Sequence, residues 1–343
     1  MRPLELTVQP LAFAQTDEQW LPDLRPYVYQ QRVYHRVAEA LARNQTLCLF
    51  IATPTGSGKT LASYAYTILH SEPAFGVYPT NELIRDQERA LKDWIDPAGE
   101  HRLLRIDRAQ LDDWQIKLDL KCHSETLDTL LSWTPTILTN PDILFYIFFG
   151  LYGGPEGVRE RLIALIGQYR LFIFDEFHLY NVKQIADVAF LVGTLHTLNP
   201  CKGRVFLFAS ATPDSPILPW LRERLHLPVE VIVSEASDAP QARTVAHSVD
   251  LAVVPADLTR WEGSKALLEN LWIIQEFLDA HPQARLVAIL DSVYGAMEVA
   301  RVLRDHFPDR RVGEVHGFSS EKEREEAIRA PMTVGTSTIE VGI

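Results

Sequence analysis

Two short segments carry residue types whose spacing suits phosphate chemistry. Thr53-Pro54-Thr55-Gly56-Ser57-Gly58-Lys59-Thr60 lies between an apolar run and a stretch of helical periodicity. Glycines let backbone N–H groups turn toward phosphate oxygens, and the N-terminus of the following helix adds a favourable dipole. Lys59 then supplies charge to the outer phosphates and Thr60 offers a hydroxyl to Mg²⁺. Thr55, Gly56, Ser57, Gly58, Lys59 and Thr60 are the expected nucleotide-binding residues. A Gly-Ser turn with a surface lysine would share these letters, but not the strand-loop-helix placement.

The second segment, Leu171-Phe172-Ile173-Phe174-Asp175-Glu176-Phe177-His178, sets two carboxylates at the end of a fully apolar strand. In a parallel sheet that is the edge where ligands bind. Asp175 is expected to hold Mg²⁺ through water, and Glu176 to orient or deprotonate an attacking water. With Lys59 they form the expected catalytic group. An Asp-Glu pair after a strand is by itself more often a solvated turn, and the loop at 53–60 reverses that preference. Ser210-Ala211-Thr212 closes the next apolar run. The hydroxyls of Ser210 and Thr212 are placed to bond the segment ending at His178 and so to report phosphate loss, the alternative being a simple helix cap.

The elements that must position these residues alternate. Apolar strands are expected at Leu47–Ala52, Phe75–Tyr78, Thr136–Thr139, Leu171–Phe174 and Val205–Ala209, with an amphipathic helix over residues 25–43 and helical patterns between strands. That order predicts an α/β fold with a parallel sheet covered on both faces. Residues 100–135 show helical patches and no chemical motif. After a looser stretch, a second series follows, with strands at Leu286–Leu290, Val312–Val315 and Thr333–Gly335 and helices near 263–281, 293–307 and 319–329. The expected division is a first domain over 1–214, a connecting segment over 215–262, and the start of a second domain over 263–343.

Composition sets limits on this picture. The chain has 343 residues, 47% hydrophobic and 23% charged, which suits ordered globular domains. A net charge of −12 argues against a broad nucleic-acid-gripping surface, though hydroxyls, amides and helix N-termini can still hold a strand along a narrow track. Three scattered cysteines, Cys48, Cys122 and Cys201, read as free thiols in a reducing cytoplasm. The most apolar run, Ile143 to Tyr152, is about half of what a bilayer span requires, so no membrane anchor is expected.

Taken together the motifs resemble a superfamily two DExH helicase, built on two RecA-like domains, the second incomplete here. Within that group the chain is most similar to the nuclease-less helicase of type I CRISPR interference, as in type I-D. The resemblance implies ATP and Mg²⁺ as cofactors and extends to further residues. Tyr29-Gln30 resembles the adenine-reading glutamine motif, with Gln30 on the purine edge. Tyr78-Pro79-Thr80-Asn81-Glu82-Leu83 and Thr139-Asn140-Pro141-Asp142 resemble the two strand-gripping motifs of the first domain, which implicates Thr80, Asn81, Thr139 and Asn140. Leu290-Asp291-Ser292 and Thr336-Ser337-Thr338-Ile339-Glu340-Val341-Gly342-Ile343 resemble motifs of the second domain, implicating Ser292 and Thr336. Ile339-Glu340-Val341 and His178, which stands where many relatives have Asp, favour the CRISPR group. Thr53 departs from the usual Gly or Ala.

These resemblances imply translocation on single-stranded DNA, with RNA as a possible substrate, and duplex unwinding for a CRISPR surveillance complex carrying guide RNA and a separate nuclease. Two other readings stay open: a DExH helicase of DNA repair or RNA processing, and a non-motor nucleotide-binding regulator. No His-Asp cluster precedes the phosphate loop, so nuclease chemistry is not expected in this chain. The family's arginine-rich motif does not occur before Ile343, and the sequence is expected to be a C-terminally truncated form with turnover in doubt.

Overall fold

A computed structural model describes residues 4–20, 24–133, 135–148, 163–198, 202–212, 216–237, 239, 242–253 and 262–336. The chain divides into two compact units, Val8–Val249 and Met1–Thr7 with Asp250–Ile343. Each has its own parallel sheet, so the expected α/β class holds in both. Among the described residues no helix is long and apolar enough to cross a membrane.

The chain opens with β1 (Leu4–Val8) and β2 (Leu11–Phe13), then α1 (Val28–Ala42). The first unit continues through β3 (Leu47–Ala52), α2 (Lys59–His70), β4 (Ala74–Val77), α3 (Asn81–Ile95), β5 (Leu103–Ile106), α4 (Arg108–Lys117), α5 (His123–Ser132), β6 (Thr136–Thr139) and α6 (Pro141–Phe148). It ends with β7 (Leu171–Phe174), α7 (Val182–Leu198), β8 (Val205–Ser210), α8 (Ile217–Glu223), β9 (Val229–Val233), β10 (Arg243–Ala246) and the first residue of β11 (Val249–Val253). The seven-stranded sheet runs β5-β6-β4-β7-β8-β3-β9 with every described pairing parallel.

Period-two alternation explains why the central strands are apolar throughout. Cys48 and Phe50 of β3 enter one core with Phe172, Phe174, Phe206 and Phe208, while Leu49, Ile51, Ile173 and Leu207 enter the core on the other face. The first of these faces is a stack of rings, with Phe50 and Phe208 centroids 4.4 Å apart and Phe174 and Phe208 5.1 Å apart. Burying one such ring contributes about 2 kcal/mol, so this ladder holds the strand ends in register.

Three expectations are corrected here. Residues 100–135 contain β5, an edge strand of the main sheet, which four residues interrupted by Arg105 do not advertise. The first compact unit runs on to Val249, well past the expected end at residue 214. Ile217 and Leu221 of α8 and Ile232 of β9 are buried in its cores, and β10 pairs antiparallel with β2. The helix expected over 263–281 is two, α9 (Glu262–Glu269) and α10 (Leu271–Ala280). Between them the Asn270 side-chain amide donates to the Ala266 carbonyl at 2.7 Å, a local bond that competes with helix continuation.

The second unit holds β12 (Leu286–Ile289), α11 (Val293–His306), β13 (Val312–Val315), α12 (Glu321–Ile328) and β14 (Met332–Gly335). Its sheet order is β12-β14-β13, all parallel. Ala296, Val299, Ala300 and Leu303 of α11 pack on Ala288, Met332 and Val334 to form a smaller core. β1 pairs with β11 in a separate two-stranded ribbon.

Candidate nucleotide site

The parallel order brings the C-terminal ends of β3, β8, β7, β4 and β6 to one edge of the first sheet. Those ends carry the segments at 53–60, 210–212, 175–178, 78–83 and 139–142. The topology thus collects on a single edge motifs up to about 150 residues apart in sequence, as ligand sites in parallel sheets require.

The loop between β3 and α2 is held from several sides. Gly56 and Gly58 adopt left-handed backbone, φ +79° and +84°. The Ser57 hydroxyl donates to the Pro54 carbonyl at 2.7 Å and lies 2.8 Å from Thr53 Oγ1. Thr53, the departure from the usual small residue, therefore adds a hydroxyl that closes the loop on itself. Pro54, Thr55 and Gly56 form the exposed tip, whereas Ser57 and Lys59 are buried and Thr60 is half-buried.

Helix α1 braces the loop from beneath. The buried Tyr29 hydroxyl donates to the Ser57 carbonyl at 2.8 Å, and burial pushes its pKa up to about 12, so it stays a donor. Gln30 is 2% exposed, its amide donating to the Gly58 carbonyl at 2.9 Å and accepting the Tyr27 N–H at 2.8 Å. Each end of the amide holds one bond, to the helix start and to the loop, and the expected hold on a purine edge would fall to its second N–H and lone pair. Tyr29 shares the Tyr29-Gln30 motif, but the sequence gives no role to its hydroxyl, because the contact with Ser57 spans 28 residues.

Facing the loop, Lys59 Nζ lies 3.1 Å from Glu176 Oε1, an ion pair with side chains 7% and 17% exposed. Asp175 is buried, its Oδ1 accepting the Glu176 N–H at 2.9 Å. Burial raises its pKa to about 6, with the neighbouring Glu176 charge adding to the rise and Lys59 and the Glu176 N–H opposing it. Glu176 itself sits in left-handed backbone at φ +44°, a conformation costly for a residue with a side chain and typical of functional sites. That turn separates the directions of two adjacent carboxylates.

His178 Nδ1 is 3.4 Å from both Glu176 Oε2 and Ser210 Oγ. Ser210 Oγ in turn accepts the Thr212 N–H at 3.1 Å and lies 3.4 Å from Thr212 Oγ1. The expected coupling residues thus form a chain leading away from Glu176. A cation would find one carboxylate at Asp175 and one hydroxyl at Thr60, and no cluster of three or more His, Cys, Asp or Glu occurs among the described residues. Such a sparse donor set fits Mg²⁺, which keeps waters and takes much of its coordination from substrate phosphates.

The strand-gripping candidates fare unequally. Thr80 caps α3, its Oγ1 accepting the Leu83 N–H at 3.3 Å. Asn81 is exposed, and its Oδ1 accepts the Asn140 amide at 2.9 Å, so the two motifs converge. Asn140 also caps α6 through the Ile143 N–H at 2.9 Å. Thr139 is corrected: it is 1% exposed, and its hydroxyl donates to the Ile106 carbonyl at 2.7 Å inside the sheet. In the second unit Ser292 caps α11 by accepting the Gly295 N–H at 3.0 Å, and the Thr336 N–H donates to the Val315 carbonyl at 3.1 Å. They end adjacent strands β12 and β14. Residues 337–343 of that motif lie outside the described residues.

Comparison with known proteins finds similar helicases. The chain is 27% identical over 178 residues to the ATP-dependent helicase hrq1 of Schizosaccharomyces pombe, covering 49% of this chain and 15% of that protein. It is 25% identical over 328 residues to the ATP-dependent DNA helicase RecG of Acidithiobacillus ferridurans, covering 93% of this chain and 42% of that protein. The fold superposes on the helicase MrfA bound to DNA and AMPPNP with a TM-score of 0.68 at 16% identity, over all of this chain and 47% of MrfA. The chain therefore spans less than half the length of each. A DEAD/DEAH box helicase profile matches residues 28–218, which is more than half of the sequence, and the chain belongs to that family.

Proposed function

We propose that this chain is the ATP-binding part of a DNA-directed helicase, using ATP and Mg²⁺ at the edge formed by β3, β7 and β8. The observation that carries the proposal is the buried Lys59–Glu176 pair at 3.1 Å beside the buried Asp175. ATP phosphates compete with Glu176 for the Lys59 ammonium, so binding frees the Glu176 carboxylate to orient and accept a proton from the attacking water. Asp175 and Thr60 would hold Mg²⁺, which would offset charge on the phosphates. Glycine-framed backbone N–H groups of residues 55–59 cradle them. Loss of the γ-phosphate returns Lys59 to Glu176, and the chain through His178, Ser210 and Thr212 carries that change outward.

Similarity to a relative named as a DNA helicase supports DNA as the substrate. It favours a DNA-processing motor of the repair kind, and the CRISPR assignment with its guide RNA and partner nuclease rests on motif resemblance alone. Asn81 and Asn140, bonded to each other at the open end of β4 and β6, are the groups we place on the strand backbone, with Thr80, Ser292 and Thr336 as further polar contacts. ATP hydrolysis by the chain, measured with and without a single-stranded oligonucleotide, tests the proposal. Stimulation by the strand, with turnover lowered about 100-fold or more in Glu176→Gln, supports it. Equal rates with and without the strand would overturn the motor reading.

A further inference from the structure

Tyr78 stands where the separate motifs of the nucleotide edge meet. Its Oη lies 2.7 Å from Oη of Tyr64, on the helix that begins at Lys59, and both side chains are fully buried. Its backbone N–H donates to the Thr139 carbonyl at 2.9 Å, tying it to the segment that holds Asn140. The preceding Val77 carbonyl accepts two donors from the carboxylate segment, the Asp175 N–H at 3.0 Å and the Tyr180 hydroxyl at 2.9 Å. Immediately after Tyr78 comes the turn that presents Thr80 and Asn81.

Sequence elsewhere is fitted to this hydroxyl pair. At Gly76 in β4 a Cβ would collide with the Tyr64 hydroxyl and would lie 3.1 Å from the Tyr78 ring, so glycine there makes room for it. Burial raises the pKa of both hydroxyls, so neither ionises and each can serve as donor or acceptor to the other. Water has no access to replace the bond, which links α2 to the end of β4.

We infer that the Tyr64–Tyr78 hydroxyl pair couples nucleotide occupancy at the phosphate loop to the strand-facing turn at Thr80 and Asn81, making both tyrosines positioning residues. A shift of α2 when phosphates draw Lys59 from Glu176 moves the Tyr64 hydroxyl, and Tyr78 passes the displacement to the adjoining turn and to Thr139. The inference rests on the helicase reading above.

The test is affinity of the full chain for a fluorescent AMP-PNP analogue with and without oligo(dT), in the wild type, Tyr64→Phe and the Tyr64→Phe/Tyr78→Phe double variant. In the wild type the oligonucleotide should tighten nucleotide binding about 10-fold, within the usual range for coupled sites. Tyr64→Phe should keep nucleotide affinity without DNA to within about two-fold and reduce the coupling to under about two-fold. The single variant leaves one buried hydroxyl without its partner and should melt lower. The double variant removes both hydroxyls and should recover most of that stability while remaining uncoupled. Coupling retained in Tyr64→Phe, or regained together with stability in the double variant, would show that the pair is structural only and overturn the inference. A wild type that shows no coupling would overturn the helicase reading and the inference with it. Should Tyr64→Phe fail to fold, the double variant alone decides.

Discussion

The two sheets end in edges of different character. At the ends of β3, β7 and β8, side chains are buried and spent on one another: Lys59 on Glu176, Asp175 on the Glu176 N–H, Ser57 on Thr53 and Pro54. At the ends of β12 and β14, Ser292 is occupied with capping α11, and the Thr336 backbone with the end of β13. Charge chemistry gains from exclusion of water, because Coulombic interactions strengthen as the local dielectric falls. The first edge is built to hold charge in reserve, and the second to offer hydroxyls and helix starts. Both share the same strand-turn-helix pattern, so the difference lies in which side chains the pattern carries.

Breaking the first edge should have the largest effect. Lys59→Ala leaves the Glu176 carboxylate largely buried without its cation, and unfolding in urea should show a loss of about 3 kcal/mol. Asp175 gives an effect of opposite sign. Its folded pKa, about 6, lies above the unfolded value, so the folded state binds the proton more tightly. The stability this contributes is fully present below the unfolded pKa, near 4, and is lost as pH rises through about 6. Asp175→Asn should therefore stabilise the nucleotide-free protein at pH 7.5, on the order of 2 kcal/mol, with the gain shrinking toward pH 4. Denaturation curves at both pH values check the slope.

Smaller effects sharpen the contrast. In Gly58→Ala the new Cβ would sit 2.6 Å from Gln30 Nε2 on a backbone at φ +84°. The loop must shift, and nucleotide affinity should fall about 10-fold with a stability loss of about 1 kcal/mol. Calorimetric titration and thermal melting separate the two. Ser292→Ala removes a helix cap from the second edge and should cost about 1 kcal/mol with nucleotide affinity unchanged. A large loss of nucleotide binding in Ser292→Ala would erase the distinction between the edges.

The phosphate loop and the carboxylate pair were legible because their chemistry depends on backbone turns and fixed spacing, which sequence records directly. Strands Leu47–Ala52, Thr136–Thr139 and Leu171–Phe174 came out with the expected bounds, since burial on both faces leaves no charged residue to blur them. Side-chain direction was not legible. Thr139 ends a strand just as Thr80 precedes a helix, yet one hydroxyl turns into the sheet and the other onto a helix N-terminus. Gln30 reads the same whether its amide faces a purine or Gly58. The Tyr64–Tyr78 bond joins two residues fourteen apart on different elements, and only the packing of α2 against β4 brings them together. The end of the first unit was missed because β9 is short and half-exposed, its membership set by parallel pairing with β3 rather than by composition.

The central claim is that the edge formed by 53–60 and 175–176 is an ATP and Mg²⁺ site. Equilibrium binding of AMP-PNP to the full chain, titrated with Mg²⁺ and with EDTA, tests it most directly when Lys59→Ala is measured alongside. The account predicts Mg²⁺-dependent binding by the wild type and affinity reduced about 100-fold in Lys59→Ala. Equal affinity for the two proteins, or binding indifferent to Mg²⁺, would contradict it.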